Sequence, residues 1–164
     1  MLDAYLGLGS NLGDRRANLR AACNAIAALP GVTDLRASPV YETPPMGPQD
    51  QDAYLNMAAA IRTDAEPTAL LASLQQIERA LGRAAPKDRR RWGPREIDID
   101  VLLFGDRVID RRGLTIPHPG LAERWFVLKP LADLAPDLVH PTLGRSIVHL
   151  LNDLPTPAAE EPAR

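Results

Sequence analysis

Apolar and polar positions alternate at the start of the chain: Leu2, Ala4, Leu6 and Leu8 are separated by Asp3, Tyr5, Gly7 and Gly9. That two-residue period predicts a half-buried strand. SNLGD follows as a turn; GLGSNLG has the glycine density of a phosphate loop without its spacing, and a tight turn after the first strand explains it better. Leu19, Ala22, Cys23, Ile26 and Leu29 then fall at helical spacing, with Pro30-Gly31 as the stop. Residues 32–42 read as an extended segment, interrupted or bulged at Pro39. TPPMGPQDQDAY is a loop by composition, and LNMAAAIRT is the strand that returns from it. A second helix opens with Pro67, carries Leu70, Leu74, Ile77 and Leu81 on one stripe, and stops at Gly82. After an arginine-rich loop comes the strand IDIDVLLF. The order βαββαβ predicts a ferredoxin-like α+β sandwich. LTIPHPGLAERWFVLKPLADLAP adds a short C-terminal hairpin and further helix. Residues 1–154 are expected to form a single domain and 155–164 a disordered tail.

Composition narrows the class. The 164 residues suit one core, and 45% apolar with 24% charged residues is ordinary for a globular chain. Cys23 is the sole cysteine, which excludes an internal disulfide and fits a reducing compartment. At helical spacing with apolar neighbours, it reads as core rather than nucleophile. The first residues lack a signal-peptide pattern, and no apolar run reaches the roughly 20 residues of a membrane span. A cytoplasmic protein with no membrane partner is therefore expected, and a monomer. The net charge is −2, but residues 83–95 hold six cations against the single acid Asp88, so the remainder carries −7. Nucleic-acid binding rewards many spread phosphate contacts, and this pattern does not supply them. One concentrated basic segment suits the grip of a small polyanion.

The candidate chemistry sits beside that segment, in WGPREIDID. On a strand Asp98 and Asp100 point to one face, whereas Ile97, Ile99, Val101 and Leu103 point to the other. The apolar face buries and so aims the carboxylates. Two parallel carboxylates about 7 Å apart repel each other unless a cation intervenes. Magnesium accepts one or two carboxylates and leaves positions for phosphate oxygens and water. A solvated D-x-D strand face is the plain alternative. The adjoining cations favour a phosphoryl-transfer site. Trp92-Gly93-Pro94, at the base of the basic loop, also exceeds what a merely soluble turn requires. P-loop and protein-kinase signatures are absent.

Four segments in order, GLGSNLGD, SPVYETPPMGPQDQDAYLN, RWGPREIDIDVLLFG and LTIPHPGLAERWFVLKPL, make the chain resemble the 6-hydroxymethyl-7,8-dihydropterin pyrophosphokinases of folate biosynthesis. The resemblance implies transfer of the pyrophosphoryl group of ATP to the pterin hydroxymethyl oxygen, with release of AMP and with two magnesium ions. It implies that Asp98 and Asp100 hold the metal, that Tyr54 and Phe126 sandwich the pterin, and that Asn56 reads its amide edge. Thr43, Pro44 and Met46 would line the same pocket. Trp92 and Arg95 match a loop that closes over the reactants, and Arg83 a phosphate-binding arginine. Gln75, Glu78, Ile99, Thr115, His118 and Arg124 match positions lining the ATP site. Two departures stand out. The segment between Gly82 and Trp92 is slightly long, which leaves Lys87, Arg89, Arg90 and Arg91 as alternatives for one phosphate contact. Gly113 replaces a common basic residue, for which Arg112 is the substitute. Without the resemblance, Phe126 reads as core and His118 as a backbone-bonded loop histidine. The alternatives are another magnesium-dependent nucleotidyl or phosphoryl transferase, and a non-catalytic pterin- or nucleotide-binding module.

Overall fold

Strand β1, Leu2–Ser10, lies between two antiparallel partners, β4 (Tyr54–Thr63) and β5 (Asp98–Phe104). The structure, a computed structural model, describes residues 1–44, 52–82 and 96–155. Strand β2 (Val32–Ala37) pairs along the far edge of β4, giving the order β2-β4-β1-β5, and the three-residue β3 (Tyr41–Thr43) pairs with the beginning of β4. Helices α1 (Arg15–Ala27) and α2 (Pro67–Ala80) connect the strands. This is the expected βαββαβ sandwich, and β2 and β3 are the two parts of the predicted extended segment. Beyond it come the hairpin β6 (Ile109–Arg111) and β7 (Leu114–Ile116), then α3 (Trp125–Leu134) and α4 (Ile147–Asn152). Residues 156–164 of the expected tail lie outside the described residues. No helix among the described residues is long and apolar enough to cross a membrane.

The helices pack where their apolar stripes predict. Leu19, Ala22 and Ile26 of α1 and Leu70, Leu74 and Ile77 of α2 join Leu6, Leu8, Leu55, Ile61, Ile99 and Val101 in one core. Asp14 caps α1 by accepting from the Ala17 N–H at 3.1 Å. The opposite face of the sheet is also covered over part of its length. There Tyr5, Ala58, Ala60 and Leu102 pack with Leu128 and Leu131 of α3 and Ile147 and Leu150 of α4. Strand β1 is thus buried on both sides, not on one. Side chains no larger than alanine on β4 let α3 lie close to the sheet.

Gly7 and Gly9 lie in β1, as their place in the alternation predicts, and Gly13, with φ 71°, supplies the left-handed residue in the turn that follows. One expectation about side-chain direction needs correction. Leu103 does not share a core with Ile99 and Val101. A register shift between Tyr5 and Leu6 sets Tyr5 opposite Leu103 and Leu6 opposite Val101, so Leu102 is the extra residue of a bulge. Leu102 and Leu103 both enter the α3 cluster as a result.

At Pro39, where the ladder cannot continue, Ser38 fills the gap. Its N–H donates to Ala58 O at 2.9 Å, its Oγ accepts from the Ala58 N–H at 2.8 Å, and its hydroxyl donates to Pro39 O at 2.8 Å. Ser38→Ala leaves the buried Ala58 N–H unpaired on a central strand. It should cost about 1–3 kcal/mol in urea unfolding, whereas Ser38→Thr, which keeps the hydroxyl, should cost less. Equal losses in the two variants would remove the hydroxyl from this account.

Candidate functional site

In an antiparallel pair, directly opposed residues share a face. Gly9 lies opposite both Asn56 and Asp98, and Gly7 opposite both Ala58 and Asp100. Tyr41 lies opposite Asn56 on its other side. One row across the sheet therefore reads Tyr41, Asn56, Gly9, Asp98, with Ala58, Gly7 and Asp100 in the next row. Where α3 does not reach, this face floors an open cavity of about 260 Å³, bordered by Gly7, Gly9, Thr43, Pro44, Tyr54, Asn56, Asp98, Asp100, His118, Arg124 and Phe126. The glycines keep the floor low. A Cβ on Gly9 would stand 3.1 Å from Asn56 Oδ1 and 3.5 Å from the Tyr54 ring.

One end of the cavity is bordered by two aromatic side chains and a carboxamide. Tyr54 opens β4 and Phe126 sits in the first turn of α3, so half-buried aromatics from separate elements border one space. Asn56, 8% exposed, donates from Nδ2 to Thr43 Oγ1 at 2.7 Å, which turns its Oδ1 toward Gly9. A fixed carboxamide between two aromatics suits a ring with donors and acceptors on its edge. Met46 lies outside the described residues. Arg15 secures this end of the site: its guanidinium donates to Ala53 O at 2.8 Å and pairs with Glu42 at 3.3 Å. Asn11 adds a bond from Nδ2 to Asp52 O at 3.1 Å. The cavity-side roles of Gly7, Gly9, Asn11 and Arg15 escaped the sequence reading, because they depend on partners far off in the chain, such as Asp52 for Asn11 and Ala53 for Arg15.

The other end is polar. Asp98 is half-buried and Asp100 exposed, both on the cavity face. After β7 the chain crosses to β5, where the His118 N–H donates to Leu102 O at 2.9 Å. His118 Nδ1 accepts from the Gly120 N–H at 3.1 Å, so in the neutral ring Nε2 carries the proton, 3.9 Å from Asp100 Oδ2. Burial pushes the His118 pKa below its usual value; Asp100 opposes that shift, and Arg124 reinforces it. Behind the sheet, Glu78, 4% exposed on α2, accepts from the Ile99 N–H at 3.0 Å and pins the peptide between the two aspartates. The Ile99 side chain is core. Gln75 on α2, Arg112 in the hairpin turn and Thr115 on β7 are exposed and do not border the cavity. Arg83, Lys87, Arg89, Arg90, Arg91, Trp92 and Arg95 lie outside the described residues.

The donor set fits magnesium. Among the described residues no three His, Cys, Asp or Glu side chains gather as a metal cage. Two carboxylates facing open space offer hard oxygens and leave further positions to water or a ligand, which magnesium tolerates and structural zinc does not.

Residues 5–136 match the family model described as 7,8-dihydro-6-hydroxymethylpterin-pyrophosphokinase. The chain is 53% identical over 140 residues to a 2-amino-4-hydroxy-6-hydroxymethyldihydropteridine pyrophosphokinase of Methylorubrum extorquens, covering 85% of this chain and 86% of that one. A protein of the same description from Pseudomonas aeruginosa is 45% identical over 151 residues, covering 92% and 91%. Among solved structures, an HPPK-DHPS in complex with substrates superposes with a TM-score of 0.69 at 16% identity, over 92% of this chain and 43% of that one. Wild-type Plasmodium falciparum HPPK-DHPS with pteroate gives 0.70 at 17%, over 92% and 42%. These structures show a shared fold, and the chain spans less than half of each.

Two outcomes are expected from this geometry. Gly9→Ala should leave the protein folded and displace Asn56 and Tyr54, visible as shifted Asn56 side-chain amide resonances; unchanged resonances would mean the floor has room to spare. His118 should be the Nε2–H tautomer at pH 7 and titrate below 6.5 in nitrogen-15 NMR. His140 shifts in the same direction through burial. Both rings take up a proton more readily when unfolded, so the stability they contribute is present above about pH 6.5 and is lost as pH falls toward their folded values. Urea midpoints that do not fall between pH 7 and 5 would contradict this.

Proposed function

The chain belongs to the 7,8-dihydro-6-hydroxymethylpterin-pyrophosphokinase family and is a pyrophosphokinase of folate biosynthesis; from that premise we propose that it transfers the pyrophosphoryl group of ATP to the hydroxymethyl oxygen of 6-hydroxymethyl-7,8-dihydropterin, releasing AMP, with two magnesium ions. The observation that carries this reading is that one sheet face holds, side by side, an amide-and-aromatic cleft and a pair of carboxylates.

Each residue then has a defined task. Tyr54 and Phe126 stack on the pterin, Asn56 meets its amide edge, and Thr43 and Pro44 close the side; likeness to the family gives Met46 to the same pocket. This sets the hydroxymethyl group toward the aspartates. Asp98 and Asp100 hold magnesium, which when bound neutralises charge on the phosphate oxygens. His118, as an Nε2–H donor, and Arg124 border that end of the cavity and serve the same oxygens, a task that likeness to the family also gives to Arg83, Trp92 and Arg95. Glu78 and Ile99 support the aspartates from behind. Gln75, Arg112 and Thr115, outside the cavity, would meet ATP only where it extends beyond it. No side chain needs to act as a strong base, because a loose transition state demands alignment and charge neutralisation first. Residues 1–154 serve in this reading as one domain, and the protein acts as a monomer. The lone Cys23 suits a reducing cytoplasm, where we place the reaction.

The test is incubation with ATP, magnesium and the reduced hydroxymethylpterin, followed by product identification. AMP and a pterin diphosphate are expected; pyrophosphate release would instead indicate a nucleotidyl transferase, and pterin binding without turnover a binding module. Asp98→Asn and Asp100→Asn should each cut turnover at least about a thousandfold, since metal neutralisation of transition-state charge is worth several kcal/mol. The fold should survive, because the apolar face of β5 is untouched. A folded variant retaining activity within tenfold would remove the metal assignment.

A further inference from the structure

Strand β3 is three residues long, pairs only with β4, and yet delivers Thr43 to the cavity. So short an edge strand needs an anchor beyond its ladder. Glu42, on its outer face, meets Arg15. On the cavity face Tyr41, 3% exposed, reaches α3, where its hydroxyl donates to Asp133 Oδ2. Asp133 Oδ1 accepts from Lys129 Nζ at 3.0 Å, and that ammonium stands 5.8 Å from the Tyr41 ring centroid. The Trp125 ring meets the Tyr41 ring edge-on, centroids 5.7 Å apart at 88°. Trp125 is the first residue of α3 and adjoins Phe126. Burial first, then the bond to Asp133 and its charge, raise the Tyr41 pKa, so the hydroxyl keeps its proton as donor.

We propose that Tyr41 and Asp133 are positioning residues for the pterin: their bond ties β3 to α3 and so sets the gap between Thr43 on one wall of the cavity and Phe126 on the other. The substrate named here rests on the function proposed above. A tyrosine hydroxyl on a carboxylate is a charge-assisted bond with defined direction, and so holds a spacing better than apolar contact does. A ring held against Phe126 is sensitive to that spacing, since dispersion weakens steeply over a fraction of an ångström. A merely structural Tyr41 would lower stability and disturb both substrates alike.

Tyr41→Phe keeps the ring, its contact with Trp125 and the ammonium above it, and deletes the hydroxyl alone. Asp133→Ala deletes the acceptor, and Asp133→Asn retains an acceptor oxygen. Amide hydrogen exchange in the ligand-free protein should quicken in Tyr41→Phe at both 41–43 and 125–128. Pterin affinity in Tyr41→Phe and Asp133→Ala should fall about tenfold, the scale of one charge-assisted bond, with ATP affinity within about twofold. Asp133→Asn should lose less than Asp133→Ala, and the double variant Tyr41→Phe/Asp133→Ala should add little to either single one. Should Tyr41→Phe fail to fold, the two Asp133 variants carry the same comparison. Unchanged exchange, unchanged pterin affinity in a protein that binds pterin, or equal losses for pterin and ATP would each overturn the proposal. A wild type that binds no pterin would sink the proposed reaction and with it this substrate role, while the exchange result would still decide whether the pair couples β3 to α3.

Discussion

Opposed residues of an antiparallel ladder share a face, and so the register of β1 between β4 and β5 decides which side chains meet at the cavity. Gly9 opposite both Asn56 and Asp98 puts a carboxamide and a carboxylate in one row with nothing rising between them. A shift of one residue would turn Asp98 and Asp100 into the core and Ile99 into the cavity. Burial of Leu6, Leu8, Leu55, Ile99 and Val101 against α1 and α2 forbids that shift. Apolar packing on one face thus fixes the chemistry on the other.

Helix α3 divides the second face. Its Leu128 and Leu131 cover Tyr5, Ala58 and Ala60, while its first turn supplies Phe126 to the cavity. The bulge at Leu102 helps this division, since it turns two successive leucines toward α3 directly beside Asp100. The same helix therefore closes the core and forms a wall of the site, and what ties it to β3 bears on both.

The charged groups of the site come from both faces of β5. Burial lowers the His118 pKa, and the neutral ring presents an N–H toward Asp100. Glu78 spends its carboxylate on the Ile99 N–H behind the sheet. Asp98 and Asp100 face open space with Arg124 on the same rim. Such a surface gains from a cation followed by phosphate oxygens.

Periodicity in the sequence was enough to establish the element order, the buried stripes of α1 and α2 and the common face of Asp98 and Asp100, because each depends on residues two to four apart. The four family segments added the pterin and ATP positions, and these remain assignments by likeness even where the cavity gathers them. Tertiary structure alone decided the rest. Gly7 and Gly9 were legible as strand residues, but not as the floor of a cavity, since a glycine in a strand carries no local sign of what stands opposite. Phe126 looked like core because α3 is apolar nearly throughout, and only the place where α3 leaves the sheet shows that its first turn borders a cavity. Leu103 was misdirected because a bulge is a property of a strand pair, invisible in either strand. Arg15, Asn11, Tyr41 and Asp133 do their work across 38 to 92 residues of chain, and no spacing rule reaches that far.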